Sequence, residues 1–112
     1  MGKIRKEELL KILLLLIPRG KVTTYKSLAN ILKTSPRAVG KLLNSNEELV
    51  VIPCHRVVMS NGKIGGYKLG ESFKRKLLVL EGVHFCGNRV CKEDIIDLFL
   101  ELEGSDPSDY LK

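Results

Sequence analysis

At 112 residues, 44% hydrophobic and 29% charged, the chain has the profile of one globular domain with a modest core, which excludes a disordered protein. Its longest apolar run, residues 12–17, is too short to span a bilayer, and Glu7-Glu8 interrupts the basic start before any signal-like stretch, so no membrane span or secretion signal is expected and the cytoplasm is the expected location. The net charge of +6 is unevenly laid out, with seven acids and two bases in residues 92–112 against 17 bases and six acids in 1–91; so basic a body suits a polyanion such as nucleic acid as readily as a solvated surface.

Residues 3–17 are crowded with leucine and predict a first helix, buried along much of its length and broken by Pro18-Arg19-Gly20. Thr24 is a suitable cap for a second helix over 25–32, and Lys33-Thr34 makes a short turn. Ser35-Pro36 then opens a third helix, 36–43, because serine caps and proline suits the first helical position. Two short helices joined by a tight turn fit a helix-turn-helix, a pattern that small domains also use for packing alone. Residues 48–52 approach Pro53-Cys54-His55 as an apolar segment, Asn61-Gly62 marks a turn, and Gly65-Gly66 lets the backbone approach a neighbour closely. Residues 71–80 predict a helix with Phe73, Leu77, Leu78 and Leu80 inward and Lys74, Arg75 and Lys76 mostly outward, ended by Gly82. A small hairpin around Gly87-Asn88 and an acidic helix over 91–103 complete the chain.

Three cysteines carry potential chemistry. A thiol attacks as thiolate and needs a base or a positive charge beside it, which His55 supplies to Cys54 only if the two side chains meet. On that residue pair alone, a buried structural cysteine is the plainer reading. Cys86, Cys91 and His84 offer three ligands at poor spacing, so no metal is expected; two free thiols are expected there, with a hairpin disulfide as the alternative.

The string Pro53-Cys54-His55-Arg56-Val57 resembles the active-site signature of the O6-alkylguanine-DNA alkyltransferases. Other segments resemble that family in order and spacing: Val22-Thr23-Thr24-Tyr25 (its active-site tyrosine), Arg37-Ala38-Val39-Gly40 (its recognition helix) and Asn46, eight residues before Cys54 (its hinge asparagine). Gly65-Gly66-Tyr67 resembles the substrate lid, and Leu80-Glu81-Gly82 carries the family's glutamate, so the resemblance covers roughly residues 4–82.

It implies a mainly α, small winged-helix-like domain with a helix-turn-helix and few short strands over 1–91, with 92–112 an acidic helix or tail packed on it. It also implies an irreversible, single-turnover transfer of an alkyl group from O6-alkylguanine in duplex DNA to Cys54 after base flipping. His55 is then the base through a bound water, Glu81 orients it, Tyr25 gives a proton or hydrogen bond to the departing guanine, and Asn46 completes the catalytic set. Backbone groups around Val57 and Lys68 read the base, and Tyr67 walls the pocket. Arg37 intrudes into the stack, while small Ala38 and Gly40, with Lys41 and Arg56, face the minor groove of double-stranded DNA. No cofactor is implied, and a monomer is expected. Family members commonly carry a further N-terminal domain, which this chain is expected to lack, together with any metal site in it. Two rival readings are a damage-binding relative that performs no transfer and a helix-turn-helix regulator; the second leaves Cys54, His55, Glu81 and Asn46 without a reason to coincide. The absence of Trp and Gln is consistent with a thermophilic source.

Overall fold

Leu10, Leu13, Leu14 and Ile17 recur at helical spacing, and these are the positions the first helical segment buries. In the computed structural model, which describes residues 5–103, helix α1 spans Lys6–Leu15; residues 3 and 4 of the expected 3–17 helix lie outside the described residues. Burial is one-sided, since Ile12, Leu15 and Leu16 are exposed on the opposite face, a correction to the expectation of a helix buried along much of its length.

After the Pro18 break comes strand β1 (Thr23–Thr24), followed without a loop by α2 (Tyr25–Leu32). The Thr24 hydroxyl accepts from the Ser27 N–H at 3.0 Å, and the Ser35 hydroxyl accepts from Ala38 N–H at 3.1 Å to start α3 (Pro36–Asn44); caps of this kind contribute about 1 kcal/mol each. Lys33, in the left-handed region at φ 55°, makes the turn between α2 and α3, and the pair forms a helix-turn-helix. Leu28, Ala29, Leu32, Val39 and Leu43 from these two helices join the α1 leucines in one core.

Strand β2 (Val57–Val58) pairs in parallel with β1, Thr23 opposite Val57 and Thr24 opposite Val58. This short ladder does much of the positioning. It sets the start of α2 beside the segment that follows Cys54, although the two are thirty residues apart in sequence.

Helix α4 spans Glu71–Leu80, as the sequence predicts, but its inward face is different. Leu78 and Lys74 are fully buried, while Phe73 (44% exposed) and Leu80 (77%) face out. Residues 74, 78 and 81 lie on one helical stripe, so packing of Leu78 inward carries Lys74 with it. Beyond α4, β3 (Phe85–Cys86) and β4 (Arg89–Val90) form the expected hairpin. Its register brings the Cα atoms of Cys86 and Cys91 to 5.0 Å, within disulfide range, and the two are bonded, in place of the expected free thiols.

Residues 91–103 are not one helix. A 3₁₀ turn (Lys92–Asp94) and an extended Ile95-Ile96 precede a short α5 (Leu98–Glu103). The backbone of 94–96 is engaged elsewhere: Val22 N–H donates to Asp94 O, Ile96 N–H donates to Val22 O, and the Thr23 hydroxyl donates to Ile96 O, all within 2.8–2.9 Å. The buried Asp94 carboxylate collects the His84 N–H and Lys21, and Asp97 accepts from the Ser27 hydroxyl. With the Asp94 and Ile96 carbonyls taken by Val22 and Thr23, the segment does not continue as a helix through these residues. Among the described residues, no helix is long and apolar enough to cross a membrane.

Candidate active site

Pro53, at φ −78° and ψ 64°, is the centre of an inverse γ-turn closed by Cys54 N–H donating to Ile52 O at 2.7 Å. The turn puts Cys54 at the start of a 3₁₀ turn (Cys54–Arg56) and leaves it 7% exposed, lining a cavity of about 750 Å³. Asn46, also buried, donates through Nδ2 to Cys54 Sγ at 3.3 Å and to Ile52 O at 3.1 Å, while its Oδ1 accepts from Glu48 N–H. One side chain thus holds the thiol and both ends of the 46–52 link. That link includes Val50 at φ 72°, a left-handed conformation that a β-branched residue keeps only when its surroundings impose it.

His55 is fully buried behind the thiol, and its Nε2–H donates to Glu81 Oε1 at 2.9 Å. A carboxylate there fixes the tautomer: Nε2 carries the hydrogen and Nδ1 keeps its lone pair. Nδ1 is buried with no hydrogen-bond partner among the described residues. Burial pushes the imidazole pKa down, against the hydrogen bond and charge of Glu81, so the ring is neutral at neutral pH. Arg56 closes on the same carboxylate, Nε to Oε1 at 3.0 Å and Nη2 to Oε2 at 2.6 Å, and its Nη1 donates to Ile17 O. Burial raises the Glu81 pKa, but Arg56 and then His55 outweigh it and hold the group below the ordinary carboxylate range. The arrangement is a thiol, a neutral imidazole with a free lone pair, and a carboxylate kept ionised by a guanidinium.

Tyr25 opens α2 on the cavity wall, and Tyr67 lines it from the other side, its ring edge-on to His55 at a centroid distance of 6.4 Å. Burial raises both phenol pKa values, with a further upward push from negative charge on Cys54, so both hydroxyls stay protonated as donors. Tyr67 OH is buried and unpartnered among the described residues. Gly65, at φ 74°, is required by Tyr25: a Cβ there would stand 3.0 Å from the phenol oxygen and 3.1 Å from Cε2.

Lys74 is the residue the sequence reading missed. Its Nζ donates to Val57 O at 2.7 Å and Gly66 O at 3.2 Å, and lies 5.8 Å from the Tyr25 ring centroid. It therefore joins the β2 backbone to the glycine segment that rims the cavity. The signal was available in the helical stripe it shares with Leu78 and Glu81; assigning lysine to the outside by residue type concealed it. Burial lowers its pKa from 10.5 to about 8. Because the unfolded chain then binds this proton more readily than the folded one, stability should rise with pH between about 8 and 10.5. The gain over a Lys74→Met variant is expected to be about 3 kcal/mol across that window, read from denaturant melts of both chains. A stability difference that stays flat from pH 8 to 10.5 would show that the buried amine holds its proton as firmly as in the unfolded chain, and so stays charged.

The DNA-facing candidates divide. Arg37, Gly40 and Lys41 line the cavity from α3, with Lys68 opposite, while Ala38 sits on α3 outside the lining. A Cβ at Gly40 would meet nothing within 4 Å, so no internal packing demands glycine there and the helix surface is left open to a partner. Lys68 Nζ donates to Asn46 O at 2.9 Å, tying the segment after Gly65-Gly66 to the backbone of the asparagine that holds the thiol. Arg56 departs from its expected place on DNA: with Glu81 and Ile17 as partners and its side chain 15% exposed, its guanidinium is engaged inside the fold. Val57 is wholly buried, and its carbonyl already accepts from Lys74, leaving only a second lone pair for a base.

A family model of the 6-O-methylguanine DNA methyltransferase DNA-binding domain matches residues 6–83. The methylated-DNA–protein-cysteine methyltransferase of Pyrobaculum aerophilum is 54% identical over 79 residues, which are 70% of this chain and 53% of that protein. The crystal structure of O6-methylguanine-DNA methyltransferase from the hyperthermophilic archaeon Pyrococcus kodakaraensis superposes with a TM-score of 0.65 at 44% identity, covering 71% of this chain and 47% of the other. A Schizosaccharomyces pombe (S. pombe) protein solved in complex with damaged DNA containing O6-carboxymethylguanine gives a TM-score of 0.64 at 28% identity, covering 75% and 82%. The chain spans about half the length of the curated relatives it matches.

Proposed function

The chain belongs to the O6-methylguanine-DNA methyltransferase family through its DNA-binding domain, and from that premise we propose that it repairs duplex DNA by moving the alkyl group of O6-alkylguanine onto its own Cys54. The observation that carries this reading is the Cys54 thiol, lining a cavity roomy enough to admit a base, with Asn46 on its sulfur and the His55–Glu81–Arg56 chain behind it. His55 takes the thiol proton at Nδ1 through a bound water, and Glu81 stabilises the imidazolium that results. Sulfur attacks the alkyl carbon, the C–S bond forms as the C–O6 bond breaks, and Tyr25 donates to the departing guanine. A thioether does not hydrolyse, so each chain acts once.

Reaching that carbon requires rotating the nucleotide out of the stack, which Arg37 in the first turn of α3 supports by filling the gap. Ala38 and Gly40 keep the helix slim enough for the minor groove, and Lys41 contacts phosphate. Tyr67, the Lys68 backbone and the Val57 region enclose the base. We take residues 1–91 as the catalytic and DNA-binding domain, with 92–112 as an acidic segment packed on it, and the working form as a cytoplasmic monomer without cofactor.

A second reading is binding of the lesion without transfer, whose binding half is supported by the S. pombe neighbour solved with damaged DNA. Intact-mass spectrometry after mixing the chain with a duplex containing one O6-methylguanine separates the two. Repair by transfer predicts a single added methyl group that maps to the Cys54 peptide. Tight lesion binding with an unchanged mass would instead establish a damage sensor.

A further inference from the structure

The matched family region ends at residue 83, and the hairpin that follows lies against the rim of the cavity. The rim segment 59–68 is a tight turn, closed by Gly62 N–H donating to Met59 O and Met59 N–H donating to Lys63 O, both at 2.8 Å. Met59, Ser60, Gly65, Gly66, Tyr67 and Lys68 of this segment all line the cavity. Its outer side rests on β4. Val90 N–H donates to Gly62 O at 2.9 Å, and Lys63 bridges Arg89 as an antiparallel partner. There is no slack in the contact: a Cβ on Gly62, itself at φ 88°, would stand 3.1 Å from Val90 O and 3.2 Å from the Arg89 Cβ.

The support under the rim is therefore β4, and β4 is itself weak. Each strand of the hairpin is two residues long, and so short a two-stranded ribbon is marginal alone in water. What closes it is the Cys86–Cys91 bond, which joins the last residue of β3 to the residue after β4, with Cys91 N–H donating to His84 O. Cys86 is exposed and Cys91 is buried, so a reductant can reach one of the two sulfurs.

We propose that the Cys86–Cys91 disulfide is a redox-sensitive clasp, holding the hairpin against the 59–68 rim and so keeping the rim in the shape that alkyl transfer needs. The inference rests on the proposed transfer reaction for its consequence, though not for its mechanics. A dithiol would open the clasp in balanced steps. Its thiolate attacks the Cys86 sulfur, the S–S bond breaks, and Cys91 leaves as a thiolate that takes up a proton. The second thiol of the reductant then expels Cys86 and closes the reductant's own disulfide, leaving two electrons and two protons on the protein.

The test uses the wild-type chain before and after dithiothreitol, alongside the Cys86→Ser/Cys91→Ser double variant, each examined by hydrogen exchange and by single-turnover transfer. Reduction, verified as a gain of two hydrogens by mass, is expected to speed amide exchange at Met59, Gly62 and Val90 by about tenfold. The melting temperature should fall by about 10 °C, and transfer to Cys54 should slow by about tenfold through a misplaced rim. The double variant should match the reduced chain without reductant, and reoxidation of the wild type should restore all three values. Unchanged exchange at 59–68 in the reduced chain overturns the clasp. Faster exchange with an unchanged transfer rate overturns its link to the reaction. Absence of transfer in the oxidised chain would count against the proposed function, while the exchange data still decide whether the clasp exists.

Discussion

Cys54→Ser is expected to bind O6-methylguanine duplexes as the wild type does, within about twofold, and to transfer no alkyl group on the timescale of the assay. The substitution is nearly isosteric, and serine oxygen accepts from Asn46 Nδ2 as sulfur does at 3.3 Å, so stability should change by no more than about 1 kcal/mol. What disappears is nucleophilicity. A hydroxyl is far harder to deprotonate than a thiol, and a neutral imidazole whose pKa burial has lowered is too weak a base to ionise it. Quench-flow transfer and fluorescence-anisotropy binding check the two halves separately. Methyl transfer surviving in this variant would place the nucleophile elsewhere and sink the reading of the cavity.

Glu81→Gln is expected to slow transfer by about 10³-fold or more, as carboxylate-to-amide changes in catalytic triads do. If the amide turns its oxygen to His55, the tautomer survives but the imidazolium formed on proton uptake has no counter-charge. If it turns its NH₂ group inward, Nε2 must accept, Nδ1 carries the hydrogen, and no base faces the thiol. Arg56 meanwhile keeps one bond to the amide oxygen but loses the other and the counter-charge at 15% exposure, costing about 2 kcal/mol of stability, less than for a fully buried pair because water reaches it. Glu81 acts through His55, so a merely structural role must be separable. Removing Glu81 takes away a group that raises the His55 pKa, and the acid limb of the rate profile should move to lower pH. Adding Arg56→Met should recover the melting temperature without recovering the rate. Recovery of both in the double variant would reduce Glu81 to a support for Arg56.

Much of this molecule was legible in residue order because the physics involved is local. The Thr24 and Ser35 caps, the proline at the start of α3, and the turn at Asn61-Gly62 depend on neighbours within three or four residues. The segments carrying Tyr25, Asn46, Cys54, His55, Tyr67 and Glu81 stood out as a resemblance, and the fold gathers these side chains in and around one cavity. Roles that depend on which way a side chain faces were not legible. Lys74 and Arg56 are both basic residues that residue type assigns to solvent or DNA. Lys74 is internal because Leu78 sets the phase of its helix, and Arg56 because Glu81 and Ile17 converge on it from two other segments.

The C-terminal region makes the same division. Acidic content and a few apolar residues describe 91–103 as a helix, yet Asp94 and Ile96 give their backbone to Val22 and Thr23, and the Asp94 carboxylate takes Lys21 and His84. Whether Cys86 and Cys91 bond depended on the register of a hairpin, which spacing alone left open. Sequence by itself determined the capped starts of α2 and α3, the turns and the family, since those follow from short-range hydrogen bonding and from motif order. Only the tertiary structure decided the partners of Arg56, Lys74, Asp94 and the two hairpin cysteines, because a buried charge or thiol takes its meaning from groups brought beside it by chain segments far away in sequence.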